Sequence, residues 1–201
     1  MRKISIPYHL FALFLLLVGI LILSGTRIRT ELIHDPRPRI LSMFTKVPRG
    51  YVKVLDDVDG DTIKIEQNGK EETVRFLGID TPETKDPRKG VQCYGYMASG
   101  FTKSKVAGKA VRLVIDPMEG DRDMYNRLLR YIYLEDGTCL NELLVARGYA
   151  FAYEAFPTSK TDRLKLLEKD ARDHKRGLWG DCIVSVKNGG KQKSTQTIEE
   201  N

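Results

Sequence analysis

Three cysteines, three histidines and one tryptophan among 201 residues leave several chemistries without material. Three cysteines are too few for the disulfide framework of a small secreted scaffold. His9, His34 and His174 are too scattered to form a zinc-binding spacing. The 17 glycines and 8 prolines follow no period and no internal repeat is evident, which excludes collagen-like and low-complexity architectures. Positive charge is also missing where a nucleic-acid footprint would need it. The net +6 comes from residues 1–50, with eight basic against two acidic side chains, whereas residues 51–182 are nearly neutral with 22 against 23. The overall pI of about 9.2 therefore carries no argument for nucleic-acid binding.

What is present is an ordinary globular composition, 41% hydrophobic and 30% charged, at a length that suits one domain with appendages. Ile4 to Thr26 contains no Asp, Glu, Lys or Arg, and as a helix it would span ~35 Å at ~1.5 Å per residue, enough for a bilayer core. Residues 1–26 thus read as a hydrophobic helix, either a signal anchor or a signal peptide. No cut near Ser24 and Thr26 offers a convincing pair of small residues, which favours the anchor. Residues 27–49, with Pro36, Pro38 and Pro48, read as a linker, residues 50–182 as the folded domain, and the Lys/Gly/Ser/Gln-rich residues 183–201 as a disordered tail.

Within the domain, Tyr51 to Val58, Thr62 to Gln67 and Glu72 to Leu77 have β-branched alternation, with Asn68-Gly69 a two-residue hairpin turn. Val111 to Ile115 and Leu128 to Leu134 supply two further strands. Helices are expected over Tyr94 to Ala107, Leu140 to Arg147 and Ser159 to Arg176, each stopped by a glycine. Five short strands with three helices indicate an α+β protein built on a small barrel.

Polar clusters fall at the strand junctions: Asp59-Gly60-Asp61-Thr62; Arg75 followed by Asp80-Thr81-Pro82-Glu83-Thr84; and Asp121-Arg122-Asp123 with Tyr125-Asn126-Arg127. Each alone reads as a turn or a structural ion pair. Together with Gly90-Val91, Tyr94-Gly95, Asn141-Glu142-Leu143 and Gly177-Leu178-Trp179, they make the region from Val52 to Trp179 closely resemble the staphylococcal nuclease (thermonuclease) family. The resemblance implies a five-stranded OB-fold barrel with three α-helices and calcium-dependent hydrolysis of phosphodiester bonds in DNA and RNA. It also implies Asp61, Asp80 and the Thr81 carbonyl as Ca2+ ligands, and Arg75, Glu83 and Arg127 as catalytic residues.

The residue types fit that chemistry. Calcium takes oxygen ligands and keeps waters, so two carboxylates and a carbonyl leave room for a phosphate oxygen. Attack of water on phosphorus builds charge that planar, permanently ionised guanidinium groups match with two prongs. Glu83 either orients or deprotonates that water. Asp59 reads as a turn cap, and Asp123 as either a support for the metal site or a loop cap. Tyr125 and Tyr153 are candidates for substrate binding, through phosphate contact or base stacking. Two departures stand out: Asn126 replaces the family's glycine, at a position where Asn tolerates a left-handed backbone, and Tyr149 to Phe156 fits the family's aromatic contacts poorly in register.

The expected partners are nucleic acid as substrate and a membrane through the N-terminal helix, in a monomer with no obligate protein partner. Arg27, Arg29, Arg37 and Arg39 after the apolar span oppose export by the positive-inside rule. The short basic start and the hazard of such an activity inside a cell favour an extracytoplasmic domain, anchored or secreted. In that oxidising setting Cys93, at the start of the first helix, pairs with Cys182, after the last, and Cys139 stays a buried thiol. The alternative is a catalytically silent, membrane-tethered oligonucleotide-binding module, against which stands the presence of all five charged site residues.

Overall fold

The computed structural model describes residues 47–85, 90–187 and 192–197. The apolar segment 1–26 and nearly all of the 27–49 linker lie outside these residues. Among the described residues no helix is long and apolar enough to cross a membrane.

Strands β1 (Val52–Asp59), β2 (Thr62–Gln67) and β3 (Lys70–Phe76) form an antiparallel meander. With β5 (Ala110–Val114) and β6 (Leu128–Tyr133) they close a barrel in the order β1-β2-β3-β6-β5. β3 runs parallel to β6, while β5 returns antiparallel to both β6 and β1. Alternation places Val54, Ile63, Ile65, Val74, Phe76, Val111, Leu128 and Ile132 inside. Each such aliphatic side chain contributes about 1.5–3 kcal/mol relative to exposure. Closure leaves no free edge on this sheet, so its rims are available for loops.

Helix α1 (Gly95–Val106) buries Ala98, Thr102 and Val106, spaced four residues apart on one face. Its Thr102 hydroxyl donates to the Gly60 carbonyl at 2.6 Å and so pins the β1–β2 turn. Gly60 is needed there: a Cβ would lie 2.8 Å from the Thr81 side chain, bringing the turn against the segment after β4 (Ile79–Asp80). Helix α2 (Leu140–Ala146) places the wholly buried Asn141 between β6 and the end of β3. Its side chain accepts from the Ile132 N–H at 2.9 Å and donates to the Leu77 carbonyl at 2.9 Å. The short strand β7 (Phe151–Ala152) pairs with β4, setting Asp80 opposite Phe151.

Helix α3 covers Thr161–Asp173, shorter at both ends than the expected Ser159 to Arg176. At its start the Ser159 amide and hydroxyl are drawn to Asp116, at 2.9 and 2.5 Å. At its end Lys175 turns left-handed (φ 51°), which stops the helix. Before α4 (Leu178–Asp181), a fourth and very short helix, Gly148 and Gly177 meet backbone to backbone. A Cβ on Gly148 would lie 2.0 Å from the Arg176 carbonyl oxygen, and the Leu178 N–H donates to the Gly148 carbonyl at 2.9 Å.

Residues 183–187 and 192–197, part of the segment expected to be disordered, instead pair as the antiparallel strands of a hairpin, β8 (Cys182–Lys187) and β9 (Gln192–Thr197), and the rest of 183–201 lies outside the described residues. Composition misleads here because long-range ties hold the hairpin. Cys182 is disulfide-bonded to Cys93, 89 positions away, with Cα atoms 6.0 Å apart. Lys193 Nζ donates to both Glu168 carboxylate oxygens, at 2.7 and 2.8 Å, and to the Ala152 carbonyl at 3.2 Å. The Thr195 hydroxyl donates to the Cys93 carbonyl at 2.6 Å, and Val184 packs against the buried cluster of Phe151, Leu178 and Cys182.

Candidate active site

Three loops at one rim of the barrel carry the charged clusters. The β1–β2 turn presents Asp61, buried, whose Oδ2 accepts the Thr81 N–H at 2.8 Å and the Thr81 hydroxyl at 3.0 Å. Its Oδ1 accepts the Thr62 hydroxyl at 3.1 Å. Asp59 Oδ1 accepts the Asp61 N–H at 3.1 Å, the turn-capping geometry read from the sequence. Burial, reinforced by the neighbouring Asp61 carboxylate, pushes Asp59 up to about 7.

Arg75, near the end of β3, is gripped from two sides. One terminal nitrogen lies 2.8 Å from Asp61 Oδ2 and the other 2.8 Å from Asp80 Oδ1. Burial works against its charge, but Asp61, Asp80 and Asp59 more than offset this and hold the guanidinium above its ordinary pKa. Asp61, Arg75, Asp80 and Thr81 are therefore one hydrogen-bonded unit, assembled from β1–β2, β3 and the β4 segment.

Arg127 stands on the loop before β6. Asp123 Oδ2 accepts from its Nε at 2.6 Å, and Asp123 Oδ1 accepts the Tyr125 and Arg127 amides, each at 2.9 Å. Asp123 thus caps the loop and orients the guanidinium at once. Its carboxyl lies below the usual carboxylate range: burial pushes it up, but the hydrogen bonds and charge of Arg127 and the Tyr125 amide outweigh burial. Asn126 adopts φ 64°, the left-handed backbone that the sequence reading expected Asn to tolerate there. Arg122 secures this turn with a two-pronged bond to Glu72 on β3, at 2.8 and 3.1 Å, and a bond to the Asn126 carbonyl at 2.8 Å.

A cleft of about 1520 Å³ brings together Arg75, Asp80, Arg127, Tyr125 and Tyr153. The Arg127 guanidinium lies 5.4 Å from the Tyr125 ring centre, and the Tyr153 ring is 6.1 Å from that of Phe156. Asp61 and Thr81 sit behind this lining, joined to it through Arg75. Glu83 is set apart from the lining. Its Oε1 accepts the amides of Thr84 and Lys85 at 2.9 and 2.8 Å, and its own amide donates to Gln92 Oε1 at 3.0 Å. Gln92, which lines the cleft, escaped the sequence reading because a lone Gln between two motifs carries no spacing signal. Lys193 escaped it because its segment read as a tail. Cys139, the free cysteine among the described residues, is half-buried, and burial pushes its thiol up.

Residues 73–181 match the family described as staphylococcal nuclease homologue. The chain is 45% identical over 125 residues to Endonuclease YncB of Bacillus subtilis (strain 168), covering 61% of this chain and 58% of the relative. It is 46% identical to SPbeta prophage-derived endonuclease YokF of the same strain, covering 61% of this chain and 41% of the relative. The chain thus spans only about half the length of these two. Coverage is fuller for Thermonuclease of Staphylococcus hyicus, 40% identical over 63% of this chain and 74% of the relative.

Proposed function

Because this chain belongs to the staphylococcal nuclease homologue family, we propose that it is a calcium-dependent nuclease that hydrolyses phosphodiester bonds of DNA and RNA. The observation that carries this reading is the clasp of one guanidinium, Arg75, by two carboxylates, Asp61 and Asp80, in a cleft that also holds Arg127. The relatives named as endonucleases and a thermonuclease support the same reaction class.

The donors this cluster offers are all oxygen: the Asp61 and Asp80 carboxylates that hold Arg75, and the carbonyl of Thr81, whose amide and hydroxyl bind Asp61. This set suits a hard divalent cation and is ill suited to a thiol- or imidazole-seeking metal. Asp61, Asp80 and the Thr81 carbonyl would hold the calcium, which when bound supplies positive charge to polarise a phosphoryl oxygen. Arg75 and Arg127 bind the phosphodiester and stabilise the charge that builds on its oxygens. The hydrogen bonds to Asp61, Asp80 and Asp123 fix both guanidinium groups beforehand, so little reorganisation is required. Glu83, held by two backbone amides and by Gln92, places the attacking water. Tyr125, at the mouth, contacts the departing or incoming nucleotide, and Tyr153 lies beside it in the same lining.

The Cys93–Cys182 disulfide supports an oxidising compartment. We assign the domain to the extracytoplasmic side, anchored by residues 1–26 or secreted, acting as a monomer. An alkaline-phosphatase fusion after residue 50 is expected to be active, and an inactive fusion overturns the assignment. For the reaction, the full-length chain is mixed with single-stranded DNA, with calcium and with a chelator. Cleavage only with calcium is expected. Binding without cleavage would leave the silent binding module instead.

A further inference from the structure

We infer that the β8–β9 hairpin is a second wall of the cleft and binds a single polynucleotide strand beyond the scissile phosphate, at Ile183, Ser194, Gln196 and Thr197. The inference rests on the nuclease reading of the cleft and extends it to a part of the chain that the family does not cover: the hairpin begins at Cys182, immediately past the matched residues 73–181.

Position is the first argument. Ile183 from β8 and five consecutive residues of β9, from Lys193 to Thr197, line the same cleft as Arg75, Asp80 and Arg127. At about 1520 Å³ this cleft exceeds the ~300–1,000 Å³ of sites built for one small ligand. There is room for an extended chain of nucleotides running from the Arg127 loop along the hairpin.

Rigidity is the second. The hairpin is tied to the domain by the Cys93–Cys182 disulfide, by the Thr195 hydroxyl on the Cys93 carbonyl and by Lys193 on Glu168 and Ala152. A strand held at three points loses little freedom when a ligand docks on it, so its contacts convert into affinity rather than into ordering.

Chemistry is the third. Neither β8 nor β9 contains an Asp or Glu, so the wall offers a phosphodiester strand no like charge. It offers hydroxyl and amide groups for phosphate and sugar from Ser194, Gln196 and Thr197. Ile183, 51% exposed and directly across the ladder from Gln196, offers apolar surface for a base or sugar. The Arg127 loop lining the same cleft exposes Met124 and Tyr125, at 88% and 71%. Apolar faces beside a polar wall without carboxylates suit a sequence-tolerant single strand, and the acidic residues of the cleft, Asp80, Glu119 and Asp123, lie on its other elements.

The test changes charge at two exposed positions of the wall. In the full-length chain, the pair Gln196→Glu and Thr197→Glu is expected to raise KM for a 20-nucleotide single strand roughly five-fold or more at low salt, and the pair Gln196→Lys and Thr197→Lys to lower it. Hydrolysis of a dinucleotide, which this inference places short of the hairpin, changes much less than that of the 20-mer in both. Fluorescence anisotropy of the labelled 20-mer follows the same order of affinities, with or without cleavage. Equal KM and equal affinity for all three proteins overturn the inference while leaving the nuclease reading intact, as does an equal effect on dinucleotide and 20-mer. If the wild type cuts nothing but 20-mer affinity still follows the hairpin charge, the nuclease reading falls and the binding wall stands.

Discussion

The Glu83 N–H donates to Gln92 Oε1 at 3.0 Å, and the Gln92 N–H returns a hydrogen bond to the Glu83 carbonyl at 2.8 Å. This reciprocal pair closes the base of the loop that carries Glu83, and the next residue, Cys93, is bolted to β8. Replacing Gln92 by Ala removes the side-chain half of the pair and lets the Glu83 carboxylate drift. Turnover is expected to fall about ten-fold with KM changed less than two-fold, because misplacement of a positioned group acts on the reacting geometry more than on binding. Steady-state kinetics on single-stranded DNA checks this, and Gln92→Glu, which keeps an acceptor at the same reach, should recover part of the rate.

Arg75 separates a catalytic effect from a structural one. Arg75→Lys keeps a charge beside Asp61 and Asp80 but loses the two-pronged fork, so turnover is expected to fall about a hundred-fold with the fold retained. Arg75→Ala leaves the buried Asp61 without its counter-charge and is expected to cost about 3 kcal/mol of stability as well. Urea unfolding beside kinetics distinguishes the two, and near-normal turnover in Arg75→Lys would refute its role.

Asp116 predicts how the fold responds to acid. Burial raises its pKa, but the Ser159 hydroxyl, the Met118 amide, the Tyr131 hydroxyl and the Ser159 amide outweigh it and hold the carboxyl below its ordinary value. The folded form therefore releases this proton more readily than the unfolded chain. Its stabilisation is complete above the ordinary carboxyl pKa of ~3.9 and is lost as pH falls through the lower folded value. Asp116→Asn is expected to be about 1–2 kcal/mol less stable at pH 7, with the gap narrowing below about pH 4. Thermal melts of both proteins across that range check the sign.

Thiol titration of the unfolded, unreduced protein is expected to find one reactive group, Cys139, and three after reduction. Three before reduction would remove the bridge. Exchanging Cys93 and Cys182 for Ser is expected to lower stability by about 2–4 kcal/mol, since the bond closes a loop across 89 positions.

The barrel was legible because its signals are local. Asn68 and Gly69 both adopt positive φ in the β2–β3 turn, at 53° and 73°, and β-branched alternation marks the strands on either side. Arg75 and the Asp61, Asp80 and Thr81 positions were legible only as a constellation, since each has an ordinary structural explanation by itself. The β8–β9 hairpin was illegible for a physical reason. Its Ile183 and Val186 are more than half exposed, so its pattern lacks a core-facing stripe, and its anchors, Glu168 and Cys93, lie far back in the chain. Gln92 was hidden in the same way, its role residing in a contact nine residues away.

The meeting of Gly148 and Gly177 reaches further than the two helix ends it joins. Three residues after Gly148 lies Phe151, and Phe151 sits opposite Asp80 in the β4–β7 pair. A single methyl group on either glycine would wedge the two helix ends apart, and the displacement would be delivered along β7 to a carboxylate it never touches. Damage to this hidden seam would masquerade as a fault in the Asp61–Arg75–Asp80 cluster.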